Sequence, residues 1–323
     1  MKAKPIKTLF NISLILGVAL ILVWLLITQP TTDKNALSTM TVDELALKKH
    51  VEKLSIDFYP RNHLELENLN KTAAYIKHHF KNAGANVEIQ NFDASGKTYK
   101  NVIAVLGKGK GRKLIVGAHY DSSGLTHGAD DNASGVAGLI ELAYLLAKYP
   151  IDREIELVAY TLEEPPYFRT QYMGSYVHAE KMNKENQVIE GMISLEMIGY
   201  FSEETNSQDY PSPLLNIFYP SVGNFITVVG SLDQLNFTKA IKTGMKGATN
   251  LPVYSINAPE SLPGIDFSDH GNYWLFGMNA VMISDTAFYR NHEYHQVTDT
   301  ADRLDYQKMT KVVIAVFEAM KRI

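Results

Sequence analysis

From about Val42 onward, short apolar runs of strand length alternate with stripes at helical spacing, and this alternation constrains the fold more than any other feature of the chain. The strand-like runs are Val87–Phe92, Tyr99–Leu106, Leu114–Ala118, Ile155–Thr161, Met192–Ile198, Phe225–Val229 and Ala280–Ser284. Leu66, Leu69, Ala73, Ile76 and Phe80 recur at helical spacing ahead of Gly84. Val136, Leu139, Ile140, Ala143, Tyr144 and Ala147 form a second stripe, and Met309, Val312, Val313, Val316, Phe317 and Met320 a third. Such interleaving predicts an α/β fold with a largely parallel sheet covered by helices on both faces. Ser95-Gly96 reads as a hairpin turn, Gly107–Arg112 as a basic, glycine-rich turn, and 202–224 and 246–268 as long loops. In an open α/β sheet, ligands bind beyond the carboxyl ends of the strands.

Ahead of this pattern lies Leu9–Ile27, 19 residues without a charge. A helix crossing the ~30 Å core of a bilayer needs about 20 such residues. Lys2, Lys4 and Lys7 precede the run, which places residues 1–8 in the cytoplasm and the rest of the chain outside. Thr28-Gln29-Pro30 is a poor cleavage site, so residues 9–28 read as a transmembrane signal anchor, with secretion after cleavage as the alternative. Residues 29–41 are polar and read as a linker to a folded domain spanning 42–323. Cysteine is absent, so any metal must be held by His, Asp and Glu. The 31 basic residues do not outnumber the 35 acidic ones, which argues against a nucleic-acid partner.

Five stretches supply candidate chemistry. His119 and Asp121 follow the Leu114–Ala118 run on the same side of an extended segment, so one can bind a metal while the other fixes the imidazole tautomer. A turn-capping Asp beside a surface His is the plainer account. Asp131 precedes a helix that Ser134 or Asn132 can cap, and is either helix-start chemistry or a ligand. Glu163 and Glu164 are adjacent carboxylates, which repel unless cations are close; one can coordinate while the other takes a proton from water. Glu196 interrupts an apolar run, where a carboxylate is costly unless paired or ligated. His292, Tyr294, His295 and Asp299 form the last stretch. Imidazoles and carboxylates without thiolates are the donor set of catalytic zinc. An aspartate shared between two further ligands on each side is what two ions ~3.5–4 Å apart require.

From about residue 60 to the end, these motifs resemble the family-28 metallopeptidases, co-catalytic zinc exopeptidases that include secreted bacterial aminopeptidases. His119-Tyr120-Asp121 is similar to the family's H-x-D, and Asp131 in Asp130-Asp131-Asn132-Ala133-Ser134-Gly135 to its metal-bridging aspartate. Glu163 resembles the general base and Glu164 the adjoining ligand, while Ser268-Asp269-His270 matches an S-D-H stretch near the site. His295 matches the last histidine ligand, and Tyr294 a tyrosine that assists the tetrahedral intermediate. The resemblance implies a mixed, mostly parallel sheet flanked by helices and two Zn2+ ions held by His119, Asp131, Glu164, Glu196 and His295. It also implies a peptide substrate cut by aminopeptidase action. Asp121 would orient His119, and Asp299 would do the same for His295.

Two departures stand out. Glu196 replaces the usual Asp, adding a methylene of reach, and Pro165-Pro166-Tyr167-Phe168 replaces the usual glycine-bearing stretch, which predicts a reshaped pocket. Glutaminyl-cyclase-like acyl transfer with one zinc and a non-catalytic binding ectodomain are the competing functions. The sequence leaves the oligomeric state open.

Overall fold

The structure is a computed structural model that describes residues 4–107, 109 and 111–323. Lys2, and Lys108 and Lys110 of the expected turn Gly107–Arg112, lie outside the described residues. An apolar helix, α1 (Lys4–Thr28), precedes the domain. The domain then runs α2 (Glu44–Glu52), α3 (Leu66–Asn82), β1 (Asn86–Ala94), β2 (Lys97–Leu106), β3 (Lys113–His119), α4 (Gly135–Lys148) and β4 (Ile155–Tyr160). It continues α5 (Gly174–Lys184), β5 (Ile189–Leu195), β6 (Ile226–Ser231), α6 (Leu235–Met245), β7 (Val253–Ala258), α7 (His270–Trp274), β8 (Ala280–Ser284) and α8 (Tyr306–Arg322). The strands form one mixed sheet in the order β1-β2-β4-β3-β5-β8-β6-β7. The central pairs β3–β4, β3–β5 and β5–β8 are parallel, as is β6–β7; β1–β2, β2–β4 and β6–β8 are antiparallel.

Successive strand residues point to opposite faces, and each face has its own core. Leu114 and Val116 of β3 pack with α4, α6 and α8, while Ile115 between them packs with residues of α5 and α7. Leu157 and Ala159 of β4 join the first core, and Val158 and Tyr160 the second. This two-sided burial leaves every residue of β4 and β8 buried. β1, at the sheet edge, alternates exposed and half-buried residues.

Several expectations need correction. β7 lies inside the segment 246–268 that reads as a loop; its Ser255 and Asn257 are buried, and Asn257 Nδ2 donates to Ser231 O (2.7 Å) and Thr238 Oγ1 (3.0 Å). α5 and α6 were not foreseen, because their buried faces carry His178 or Lys242, Thr243 and Gly244 in place of a clean apolar stripe. Glu196 does not interrupt its strand: β5 ends at Leu195, and Glu196 N donates to Ile283 O at 3.0 Å just beyond. The segment 29–41 is not slack, since Asn35 N donates to Lys246 O (2.7 Å), Ser38 N to Ala248 O (2.8 Å) and Ser38 Oγ to Glu318 Oε1 (2.7 Å). These are backbone and polar contacts, which leave no apolar signature in sequence.

α6 and α8 approach closely at Gly244, where a Cβ would lie 2.6 Å from Ala319 Cα. Both partners there are main chain or the first side-chain carbon and cannot swing aside. Gly244→Val is therefore expected to overpack the interface and to lower unfolding stability by about 1–3 kcal/mol, read as a shift of the denaturant midpoint at constant slope.

Candidate metal centre

The carboxyl ends of the parallel strands converge on one cluster. His119 is the last residue of β3; Glu163 and Glu164 follow β4, Glu196 follows β5, and His295 lies in the loop after β8. Asp131 sits in the irregular turn that opens α4, in an extended conformation (φ −101°, ψ 89°). Leu162, Met197 and His295 have φ of 63°, 50° and 58°, left-handed values that side chains rarely adopt. Each belongs to the cluster or adjoins a member of it, so the backbone stores strain, of order 1–3 kcal/mol per residue, where it aims these side chains.

Asp131 is the hinge of the arrangement. Its Oδ1 lies 3.3 Å from His119 Nε2 and its Oδ2 3.2 Å from His295 Nε2. His119 Nε2 is also 3.4 Å from Glu196 Oε2, and His295 Nε2 is 3.1 Å from Glu164 Oε2. Two triads result, His119–Asp131–Glu196 and Asp131–Glu164–His295, each with donor atoms within 4.8 Å of one another. The longer reach of Glu196 has not opened its triad. Glu163 stands beside both triads, its Oε2 4.0 Å from His119 Nε2. His292, by contrast, is exposed and takes no part.

A ring of supporting residues fixes these donors. Asp121 lies 3.5 Å from His119 Nδ1, and its two oxygens accept from the backbone N–H groups of Glu163 (3.2 Å) and Glu164 (3.1 Å). Asp299, expected beside His295, instead accepts from Asp130 N (3.0 Å) and Asp131 N (3.1 Å), so it positions the bridging residue rather than the imidazole. The reason is register: the loop that carries Asp299 returns beneath the Asp130–Asp131 turn, where two N–H groups lack helical partners. Asn132, one of the two foreseen caps, accepts from Gly135 N (3.1 Å) and Met197 N (3.1 Å). Ser268 Oγ donates to Glu196 Oε2 at 2.7 Å, whereas His270 bonds Ile265 O at 2.8 Å and serves its own loop. The Tyr294 ring stacks on His295 at 3.8 Å between centroids. Sequence reasoning missed Arg61, whose buried guanidinium bonds Tyr120 O (3.0 Å), Leu54 O (2.5 Å), His127 O (3.0 Å) and Gly128 O (2.8 Å). A lone arginine after a proline carries no motif that would reveal this.

The electrostatics show what the cluster lacks. Burial alone disfavours charge on every member. It lifts Glu163 well above the carboxylate range, with Glu196 and Glu164 adding to the rise. Burial and Asp131 raise Glu164 to about 7. Against the same burial, contact with His119 and His295 holds Asp131 below its ordinary value. His295 is lifted to about 10 by Asp131 and Glu164, which outweigh its desolvation. Four buried carboxylates thus face two imidazoles, and the nearby Arg61 gives its bonds to carbonyls. Glu164 Oε1 is buried without a hydrogen-bond partner. An orphaned acceptor and uncompensated negative charge fit divalent cations, and the oxygen and nitrogen donors fit zinc.

A cavity of about 300 Å³ opens from Asp131, Glu163, Glu164 and Glu196. Its walls are apolar, with Phe168, Phe225, Ile256, Phe267, Met282 and Phe288 among them. Phe168 comes from the loop that departs from the family pattern; it meets Phe267 edge-on at 5.8 Å, with Arg169 lying over the Phe267 ring at 5.1 Å.

The sequence model described as Peptidase family M28 matches residues 101–320. The "Uncharacterized protein YfbL" of Escherichia coli (strain K12) is 47% identical over 278 residues, covering 84% of this chain and 85% of that protein. The crystal structure of Legionella pneumophila LapA aminopeptidase superposes with a TM-score of 0.67 at 19% identity, covering 87% of this chain and 72% of that one. A Bacteroides thetaiotaomicron glutaminyl cyclase superposes with a TM-score of 0.66 at 17% identity, covering 88% and 99%. At these identities the two structures share the fold with this chain, and the fold alone does not separate their chemistries.

The protonation pattern has a measurable consequence. Without metal, His295 holds its proton up to about 10 and Glu164 is half protonated near 7. Zinc requires neutral imidazole and ionised carboxylate, so both shifts act in the same direction. Loading at pH 7 is expected to release protons, and affinity is expected to fall as pH drops. Titration calorimetry with zinc in two buffers of different ionisation enthalpy measures the release directly.

Proposed function

The chain belongs to peptidase family M28, and from that premise we propose that it is a zinc-dependent aminopeptidase with two ions per chain, anchored in a membrane by α1. The observation that carries this reading is Asp131, which offers one oxygen to each of two complete ligand triads. His119 and Glu196 would hold one ion, Glu164 and His295 the other, with Asp131 common to both. When bound, the ions would supply Lewis acidity to the scissile carbonyl and lower the pKa of the attacking water.

The chain's own residues divide the remaining work. Glu163 stands next to the triads and takes the proton from water, then returns it to the leaving amine; a carboxyl raised by burial suits that second task. Asp121 fixes both His119 and the backbone of Glu163, so acid-base group and ligand keep a common frame. Tyr294, which lines the cavity, donates its hydroxyl to the developing oxyanion. The apolar cavity receives the side chain of the substrate's first residue and excludes water around it. α1 is long and apolar enough to cross a membrane, and the lysines ahead of it favour an exported domain.

Glu163→Gln keeps the shape and removes the base. It is expected to lower kcat about 10²–10⁴-fold while the metal content stays at two ions. Retention of most activity by that variant overturns the assignment. A content of one ion together with cyclisation of glutaminyl peptides would replace hydrolysis with acyl transfer. Among peptides with a free amine, a first residue of leucine or phenylalanine size is expected to exceed alanine by about 10–100-fold in kcat/KM, from the ~1.5–3 kcal/mol of burying its side chain. A panel of aminoacyl substrates reads this ratio.

A further inference from the structure

The end of α1 does not stand clear of the domain. Thr28 O accepts from Ser255 Oγ at 2.9 Å and from the buried Lys242 ammonium at 2.6 Å. Gln29 O accepts from the same ammonium at 3.1 Å, and Gln29 Nε2 donates to Leu235 O at 2.7 Å. A cation on the last carbonyls of a helix is favoured by the helix dipole. This socket holds Thr28 of α1 itself as well as Gln29 after it, which supports retention of α1 over its removal.

The apolar window Phe10–Thr28 has 19 residues, none of them buried in the protein across the window's core. At 1.5 Å per residue it spans about 28 Å, against the ~30 Å of a hydrocarbon core. The window has no residues to spare. If it crosses the bilayer, Thr28 stands at the lipid boundary, and Ser255 and Lys242 stand there with it.

Ser255 has a second tie. Its carbonyl accepts from Tyr219 Oη at 2.7 Å. Tyr219 N in turn bonds Leu215 O at 3.0 Å, closing the short 3-10 turn Pro213–Ile217. That turn sends Leu215 into the cavity wall and leaves Leu214 41% and Ile217 72% exposed. Tyr210 stacks on Tyr219 at 5.7 Å and Tyr254 meets it at 6.1 Å, a group of amphipathic rings of the kind favoured at headgroup level. One residue thus joins the end of the membrane-length helix to an apolar turn that borders the catalytic cavity.

We propose that the turn Pro213–Ile217 seats Leu214 and Ile217 in the lipid interface beside the emergence of α1, so that the cavity receives peptide N-termini presented at the bilayer surface. The proposal rests on the reading of α1 as a retained anchor. The occupant of this surface is the phospholipid bilayer itself, chosen because the helix that enters it is tied to the same strand residue as the turn.

The cysteine-free sequence permits single-cysteine reporters in the full chain. Ile217→Cys and Leu214→Cys report on the turn, and Val18→Cys reports on the middle of α1. Leu64→Cys reports on an exposed site beside the β1–β2 hairpin, at the opposite edge of the sheet. Each is labelled with bimane in zinc-loaded protein in phospholipid nanodiscs, then challenged with doxyl-labelled lipid and with aqueous iodide. The expected result is loss of iodide quenching and gain of lipid quenching at positions 18, 214 and 217, with the reverse at 64. Positions 214 and 217 behaving like 64 while 18 reads lipid overturns the docking and leaves the anchor intact. An aqueous reading at 18 overturns the anchor and the docking together.

Discussion

The structure turns on the burial of negative charge around Asp131. Its two oxygens face different histidines, which are 176 positions apart in the chain by their numbers, 119 and 295. A carboxylate taken out of water needs partners on every lone pair, and here two imidazoles, the Asp130–Asp131 turn and its Asp299 clamp all exist to satisfy or orient that one group. Asp121 repeats the device on Glu163 and Glu164. In both cases a carboxylate grips two consecutive backbone N–H groups, so the ligands are aimed by the main chain rather than by flexible side-chain contacts. Arg61, bonded to Tyr120 O and Gly128 O, ties the two devices into one frame.

Much of this was legible because charge is conspicuous in an apolar setting. The runs that became β3, β4 and β8 are mostly apolar because both of their faces are covered, with Glu156 the buried exception in β4, and their ends mark where His119 and Glu163–Glu164 emerge. The order of donors along the chain then pointed to shared metals. What stayed hidden was built from polar residues satisfied at long range. β7 buries Ser255 and Asn257 against partners that only the fold supplies. α5 anchors itself through His178, which lies 2.9 Å from Glu156 Oε1 and 2.6 Å from Tyr273 Oη, so its periodicity looks like that of a surface helix. The true role of Asp299 depended on where a loop returns, which no spacing along the chain encodes.

The loop after Glu164 is part of the cavity. It contributes Pro165 and Phe168 to the cavity wall. Arg169 pairs with Asp266 and covers Phe267, fastening this loop to the one that follows β7. Arg290 does the same from the other side: its Nε bonds Gln208 Oε1 at 2.8 Å and its Nη1 bonds Phe225 O at 2.9 Å, with the guanidinium 4.5 Å over the Phe225 ring. Two arginines thus tie long, irregular segments to the wall of an apolar cavity beside buried carboxylates.

These features make metal, fold and strain parts of one balance. The candidate ligands come from five separate segments, and three left-handed residues, Leu162, Met197 and His295, hold conformations the free chain would abandon. Without cations, the buried carboxylates oppose that arrangement and take up protons instead. With cations, each ligand bond favours the folded loops over the unfolded ones, because an unfolded chain cannot bring positions 119, 131, 164, 196 and 295 together. The sheet is held in addition by the apolar cores on its two faces. Cation binding would bear on the order of the strand-end loops, and those are the segments that shape the cavity and carry Glu163.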